Sequence, residues 1–451
     1  MGDATYRQIG RKREELEQHF APQSDRFHVE NIISHGGWGV ALLVTEYRPA
    51  GPLPAIPPEP GPRGIKRLRS ITPTGIAMAI RDTYRTFKRR RLASRGSEPA
   101  ALSDPPAFAR SPSPPERTVL RRLCVKMPYR KVAEDALRNE IETLRTVNGG
   151  MHVVGIVAYR DDPEARAKVL ARRPFPRVAA GQGDYLAGLA GPILVMEYLE
   201  NGTIGSLIRR LQESDTIVPN RILWAFYLCG IRACLALAYP KALDPDATAI
   251  LEGIPPPGIQ ASGLDHRDIH TANVLIGNID PAVAEHSHVP ILKLIDFGEA
   301  VDEDPPEDAM SYNLCAISEI MLCLIIRKPR TYDIPGSRIG MWQGIRTTAK
   351  ELSDTLDLAN PVDPYRHVDI ELRDLICRSM ATDWDLRTPL AVAFDTAIRA
   401  VTTKTAASFS LYETAETDDD IRQFVQKLIL NPGEATLEES VPFNLSLGSP
   451  G

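Results

Sequence analysis

Residues 48–118 are rich in Pro, Ser and Arg, contain Pro57-Pro58-Glu59-Pro60 and Ser111-Pro112-Ser113-Pro114-Pro115, and show no sustained apolar period. No other feature constrains the fold as much. Such a stretch buries too little apolar surface to offset the entropy of ordering it. A structureless loop of this length inside a compact domain argues against an element assignment, so the composition reads as a disordered insertion between two strands. Whatever folds is assembled from the residues on either side. Before it, Ile32-Ile33-Ser34-His35-Gly36-Gly37-Trp38-Gly39-Val40-Ala41-Leu42-Leu43-Val44 reads as strand, tight glycine turn, strand. After it, order resumes over 120–127, where Leu123 and Val125 lead to Lys126.

The pattern then divides. A helix is expected over 133–147, with Leu137, Ile141 and Leu144 at helical spacing. Strands are expected at 153–159 and 193–199, separated by a second basic loop with Arg172, Arg173 and Arg177. The second half is mainly helical. Its apolar stripes are Trp224, Tyr227, Leu228, Ile231, Leu235; then Leu314, Ile317, Ile320, Met321, Leu324; then Leu372, Leu375, Ile376, Met380. Charged helices are expected over 1–26 and around 420–430, the latter followed by a loose tail.

Composition narrows the class. A 43% hydrophobic content in 451 residues supports a sizeable core. The net charge of −5 gives no global reason to expect nucleic-acid binding. None of Cys124, Cys229, Cys234, Cys315, Cys323 and Cys377 forms a Cys-x-x-Cys pair, so buried free thiols in a reducing compartment are expected. The N-terminus lacks the apolar core of a signal peptide. The most apolar segment, 314–326, is interrupted by Ser318 and Glu319 and is too short to span a bilayer. A soluble chain of the cytoplasm or nucleus is expected, with no membrane partner. Lys66-Arg67-Leu68-Arg69 and Lys88-Arg89-Arg90-Arg91 in the insertion would suit an import receptor or another anionic partner.

The chemistry concentrates in His266-Arg267-Asp268-Ile269-His270-Thr271-Ala272-Asn273 and, after an apolar run, Asp296-Phe297-Gly298. Together they offer one base and two hard oxygen ligands, the parts needed to move a phosphoryl group from ATP-Mg²⁺ to a hydroxyl. In this order they resemble the eukaryotic protein kinase family. The resemblance implies a bilobal α+β fold, with a mainly β first lobe carrying one helix and a mainly α second lobe. It divides the chain into a charged segment 1–26, a first lobe 27–200 containing the insert 48–118, a second lobe 201–404, and a C-terminal helix and flexible tail 405–451.

The resemblance also implies roles. Gly36 and Gly39 would let backbone N–H groups approach the phosphates, with Trp38 capping the loop and Ser34 in place of the first glycine. Leu123-Cys124-Val125-Lys126 matches the family's Val-Ala-Ile-Lys strand, so Lys126 would hold the α and β phosphates and pair with Glu140, Glu142 being the fallback. Met196 would be the gatekeeper, and backbone groups of Glu197 and Leu199 would bond the adenine edge. Asp268 would be the base, with His270 beside it; Asn273 and Asp296 would be the Mg²⁺ ligands. Arg387 is given a packing role in the second lobe.

Two departures leave the acceptor open. His270 stands where Ser/Thr kinases carry a lysine, and small-molecule kinases of the same fold often have His there. After Gly298 the chain is short and acidic, Pro305-Pro306-Glu307 only weakly resembles Ala-Pro-Glu, and Asn313 replaces the aspartate that anchors the next helix. The leading expectation is an atypical Ser/Thr-type protein kinase acting on a protein substrate with ATP and Mg²⁺. The alternatives are a small-molecule phosphotransferase and a nucleotide-binding pseudokinase scaffold.

Overall fold

The structure is a computed structural model, and it describes residues 3–36, 39–48, 117–161, 184–243, 247–329, 339–353 and 363–430. The basic insertion, the Gly37-Trp38 turn tip, the second basic loop with Arg172, Arg173 and Arg177, and the tail from 431 lie outside the described residues.

The chain opens with helix α1 (Asp3–Phe20). Strands β1 (Phe27–Gly36), β2 (Gly39–Tyr47) and β3 (Val119–Met127) follow, then helix α2 (Lys131–Val147), β4 (Ile156–Arg160) and β5 (Ile193–Glu197). The five strands form one antiparallel sheet in the order β1-β2-β3-β5-β4. β2 and β3 pair from Val40↔Met127 to Tyr47↔Val119, on either side of residues 49–116.

Period-two alternation gives the sheet two apolar faces. Val40, Leu42, Val44, Leu123, Val125 and Val195 pack into a small core that also holds Ile9, Leu16 and Phe20 of α1. The first helix is therefore amphipathic and docked. Its charges cover the outer side, with Lys12 on Glu15 and Arg13 on Glu17. Leu194 and Met196 face the opposite way and join the large core with Leu137, Ile141 and Leu144 of α2.

The second half adds α3 (Ile204–Glu213) and α4 (Asn220–Ala238), then short strands β6 (Leu264–Asp265), β7 (Val274–Ile276), β8 (Leu292–Leu294) and β9 (Val301–Asp302). Helices α5 (Pro306–Ile326), α6 (Ile370–Ser379), α7 (Leu390–Thr403) and α8 (Asp418–Val425) follow, with a two-stranded hairpin of Gly340–Trp342 and Ile345–Thr347 between α5 and α6. α4 is buried on nearly every face, more than a single stripe implies. Its N-terminus is capped from far along the chain: the Glu416 carboxylate accepts from Asn220 N–H at 2.6 Å and Arg221 N–H at 3.0 Å.

α5 begins at Pro306, well before the expected start near Asn313, with Glu307 and Asp308 in its first turn. Proline at the first helical position and acids beside the helix's positive end both favour that start. At 21 residues the helix exceeds the expected 314–326 segment. α4 and α5 have the length and apolarity of a membrane span, yet 94% and 61% of their most apolar stretches is buried within the protein. Of the six cysteines, all free, Cys229, Cys234, Cys323 and Cys377 are buried and Cys124 and Cys315 are partly so.

Candidate active site

Strand β3 and helix α2 place the first pair. Lys126 and Glu140 meet with Nζ 2.6 Å from Oε2, and Nζ also lies 2.8 Å from Asp296 Oδ1. Glu142, the fallback, instead accepts from Arg145 at 2.8 Å. Burial pulls the Lys126 ammonium down, but Asp296 and Glu140 outweigh it and hold the group above its ordinary value. Burial pushes the Glu140 carboxyl up to about 7 against the pull of Lys126. Asp296 would also be raised by burial; Lys126 reverses the balance and holds it below the usual aspartate value.

The loop between β6 and β7 carries the second group. His266 is fully buried and lies 4.6 Å, centroid to centroid, from the equally buried Phe297 ring. Burial lowers it to about 4, so the ring is neutral. Nε2 faces the Ile295 carbonyl at 3.1 Å and carries the proton, which leaves Nδ1 to accept from Asp268 N–H at 3.3 Å. Asn313 holds the loop from α5: its Oδ1 accepts from His266 N–H at 3.1 Å and its Nδ2 donates to the Leu264 carbonyl at 2.9 Å.

Asn273 folds back on Asp268, its Nδ2 donating to the backbone and carboxylate oxygens, each at 2.9 Å. His270 Nδ1 accepts from Ala272 N–H at 3.2 Å, so in the neutral ring the proton sits on Nε2, 3.4 Å from Asp268 Oδ1. Asp296 and Arg267 adopt left-handed backbone at φ 65° and 61°, a conformation that concentrates at functional sites. Ile295 N–H donates to the Asn273 carbonyl at 3.0 Å, joining the two loops.

The remaining expected residues fall around this centre. Gly36 and Gly39 face each other across the β1–β2 hairpin. A Cβ at Gly39 would sit 2.8 Å from the Met127 carbonyl oxygen, so close approach to β3 already requires glycine there. Met196 is buried opposite Cys124. The Glu197 carboxylate is engaged by Lys293 at 2.5 Å and Gly155 N–H at 2.7 Å, and its own N–H donates to Gly155 O at 3.1 Å, so only its carbonyl remains for an adenine edge. Leu199 follows directly and is buried. Arg387 reaches the Ala381 carbonyl and Ser311 Oγ at 3.0 and 3.3 Å and stacks over Trp384, tying α5 to the loop before α7.

One contributor carries no sequence signal. Asn139, beside Glu140, donates to the Gly298 and Ala300 carbonyls at 2.9 and 3.1 Å, a contact that depends on the close approach of segments far apart in the chain. Arg267, the middle residue of the His-Arg-Asp motif, lies 3.1 Å from Asp304 and 3.7 Å from Asp265.

A five-stranded antiparallel sheet with one marked helix, a helical second half, and a lysine held between a helix glutamate and the Asp-Phe-Gly aspartate make a kinase-like bilobal fold. No protein-family model and no curated protein matches the chain. Among solved structures, it is similar to a chain of the CAK complex from Chaetomium thermophilum bound to ATP-γ-S. The two are 14% identical, with a TM-score of 0.44, over 88% of this chain and 98% of that one.

Proposed function

We propose that the protein is an ATP-Mg²⁺-dependent phosphotransferase, transferring the γ-phosphoryl group to a protein Ser/Thr hydroxyl. The observation that carries this reading is the ion-paired set of Lys126, Glu140 and Asp296, joined through Ile295 and Asn273 to Asp268. Lys126 would exchange its contact with Asp296 for the nucleotide phosphates while Glu140 keeps it aimed. The Glu197 carbonyl and Leu199 backbone would receive the adenine edge beside Met196, and Gly36 and Gly39 would cover the phosphates.

The donor set suits Mg²⁺. Asn273 uses its amide N–H₂ on Asp268, which frees its Oδ1, and Asp296 has Oδ2 beyond the oxygen on Lys126. These are hard oxygens, few in number, as an ion that keeps water and phosphate ligands requires. Bound there, Mg²⁺ would neutralise charge developing on the transferred group. Asp268 would orient the acceptor hydroxyl and accept its proton, and His270 Nε2–H would steady that carboxylate.

One observation favours a small-molecule acceptor instead: only residues 299–305 separate Gly298 from α5, too short for the usual peptide platform. The test incubates the full chain with γ-labelled ATP and Mg²⁺, alone, with mixed peptides, and with a metabolite pool. Labelled peptide is expected, falling about 10²–10⁴-fold in Asp268→Asn. Label confined to the metabolites would select the second reading. Transfer persisting in Asp268→Asn would defeat the assignment of the base, and no transfer at all would favour a nucleotide-binding scaffold.

A further inference from the structure

Away from the nucleotide cleft, three side chains that no phosphoryl chemistry uses converge in the interior. His152 lies in the loop between α2 and β4, Cys229 on α4, and His286 between β7 and β8. One ligand atom from each lies within 4.8 Å of the others. His152 is fully buried, and Cys229 and His286 are each 2% exposed.

Proton placement makes the cluster unusual. Glu252, 6% exposed, accepts from His152 twice, from the backbone N–H at 2.7 Å and from Nδ1 at 2.6 Å. A carboxylate only accepts, so His152 Nδ1 carries a proton, and when the ring is neutral its Nε2 is a lone pair. That lone pair points at His286 Nε2, 3.2 Å away. If His286 donates across this gap, its own Nδ1 becomes a bare acceptor, buried without a hydrogen-bond partner. If the His286 proton is on Nδ1 instead, which the nearby Val289 carbonyl favours although no well-aligned bond forms, two lone pairs face each other. A cation between the rings removes the conflict.

We propose that His152 Nε2, His286 Nε2 and Cys229 Sγ form a structural zinc site. Two imidazole nitrogens on a tetrahedral Zn²⁺, each about 2.0–2.1 Å from the metal, lie about 3.3 Å apart, close to the spacing here. An N₂S donor set suits zinc. The Glu252–His152 contact supplies the carboxylate that orients a metal-bound histidine. Charge also closes: Zn²⁺ and Arg232, which is bonded to Glu285, balance Glu252, Glu285 and the Cys229 thiolate. The thiol proton passes to solvent as the Zn–S bond forms. Among the described residues no fourth His, Cys, Asp or Glu joins the group, so the last corner falls to water. A small pocket lined by Gly149, Gly150, Ala236, Ile250 and Gly253 lies on the other side of Glu252.

The metal would clamp the base of the helix that carries Glu140. The loop after α2 is already tied to the second half by Gly149 N–H on Lys241 O, Met151 N–H on Ile250 O and Val154 N–H on Leu294 O. Zinc would add bonds from that loop to α4 and to the β7–β8 connection.

The full chain, produced in zinc-supplemented medium and purified without chelator, is expected to hold about one zinc by elemental mass spectrometry. Cys229→Ala and His286→Gln should each lower that content at least about ten-fold. The unmutated chain loaded with Co²⁺ should show a thiolate-to-cobalt charge-transfer band and the visible bands of a four-coordinate site, a readout that needs no variant to fold. Chelation should lower the melting temperature of the unmutated chain only. A chain that takes up neither Zn²⁺ nor Co²⁺ would overturn the proposal and leave a proton bridging the rings. Zinc retained by both variants would overturn it equally.

Discussion

Replacing Asn313 with aspartate, the residue that the resembled family carries at this position, should damage this protein. Asn313 is 2% exposed, and its two polar atoms have opposite tasks: Oδ1 accepts from His266 N–H at 3.1 Å, and Nδ2 donates to the Leu264 carbonyl at 2.9 Å. A carboxylate can perform only the first. The Leu264 carbonyl would lose its donor in the interior, a cost of about 1–3 kcal/mol. Carboxylate and carbonyl oxygens would then face each other, adding about 2–3 kcal/mol at an intermediate dielectric. The aspartate can escape by staying protonated, since its O–H then donates to Leu264. From a reference value near 3.9 that escape costs about 5 kcal/mol at pH 7.5 and about 2 kcal/mol at pH 5.5. The folded variant thus retains a proton that its unfolded chain has released, so its stability falls as pH rises. Urea unfolding of both chains should show a deficit of about 3–5 kcal/mol at pH 7.5 and no more than about 2 kcal/mol at pH 5.5. A deficit under about 1 kcal/mol at pH 7.5, or one equal at both pH values, would refute the donor role given to Nδ2.

Burial holds His266 down at about 4, below the value of the unfolded chain. The unfolded state therefore binds the extra proton first as pH falls below about 6.5, and about 2 kcal/mol of stability should be gone by pH 5. An NMR titration should find this imidazole still neutral at pH 5; a midpoint near 6.5 would contradict its enclosed, proton-poor setting. Glu416→Ala leaves the first two N–H groups of α4 without their acceptor. It should cost about 2–3 kcal/mol, seen as a lower melting temperature, with phosphoryl transfer at low temperature unchanged. A melting temperature within error of the parent chain would show that other groups or water satisfy that helix end.

The parts of the fold legible in the sequence are those where local pattern and tertiary packing agree. Leu137, Ile141 and Leu144 at helical spacing lie on the buried face of α2, alternation marks the second half of β3, and continuous apolar runs mark β2 and β5. Lys126 and Glu140, 14 positions apart, are legible as a pair because a strand, a short turn and the first turns of a helix bring them together. The start of α5 is obscured because Pro305-Pro306-Glu307 has the look of a different motif. The docking of α1 is hidden by its charges, since Ile9, Leu16 and Phe20 are spread thinly among them. The His152, Cys229 and His286 cluster leaves no local trace at all. Its members come from three segments and meet only when the loop after α2 is laid across α4.

The loop that carries Asp268 is held by the segment after Gly298. In protein kinases, phosphorylation orders the activation segment through new arginine contacts. Residues 299–305 contain no Ser, Thr or Tyr, so nothing between Gly298 and α5 can be phosphorylated in that way. Arg267, next to Asp268, is instead engaged by Asp304 at 3.1 Å, and the segment is pinned by β6–β9 pairing and by the Asn139 amide. Asp304 thus gives Arg267 a carboxylate partner that needs no modification. Arg267 is nearly half exposed, so its pairing with Asp304 contributes at most about 1 kcal/mol. Asp304→Asn should therefore leave the melting temperature nearly unchanged while lowering phosphoryl transfer several-fold, and phosphatase treatment of the parent chain should not alter its rate. Loss of transfer on phosphatase treatment would place the ordering charge elsewhere and remove Asp304 from that role.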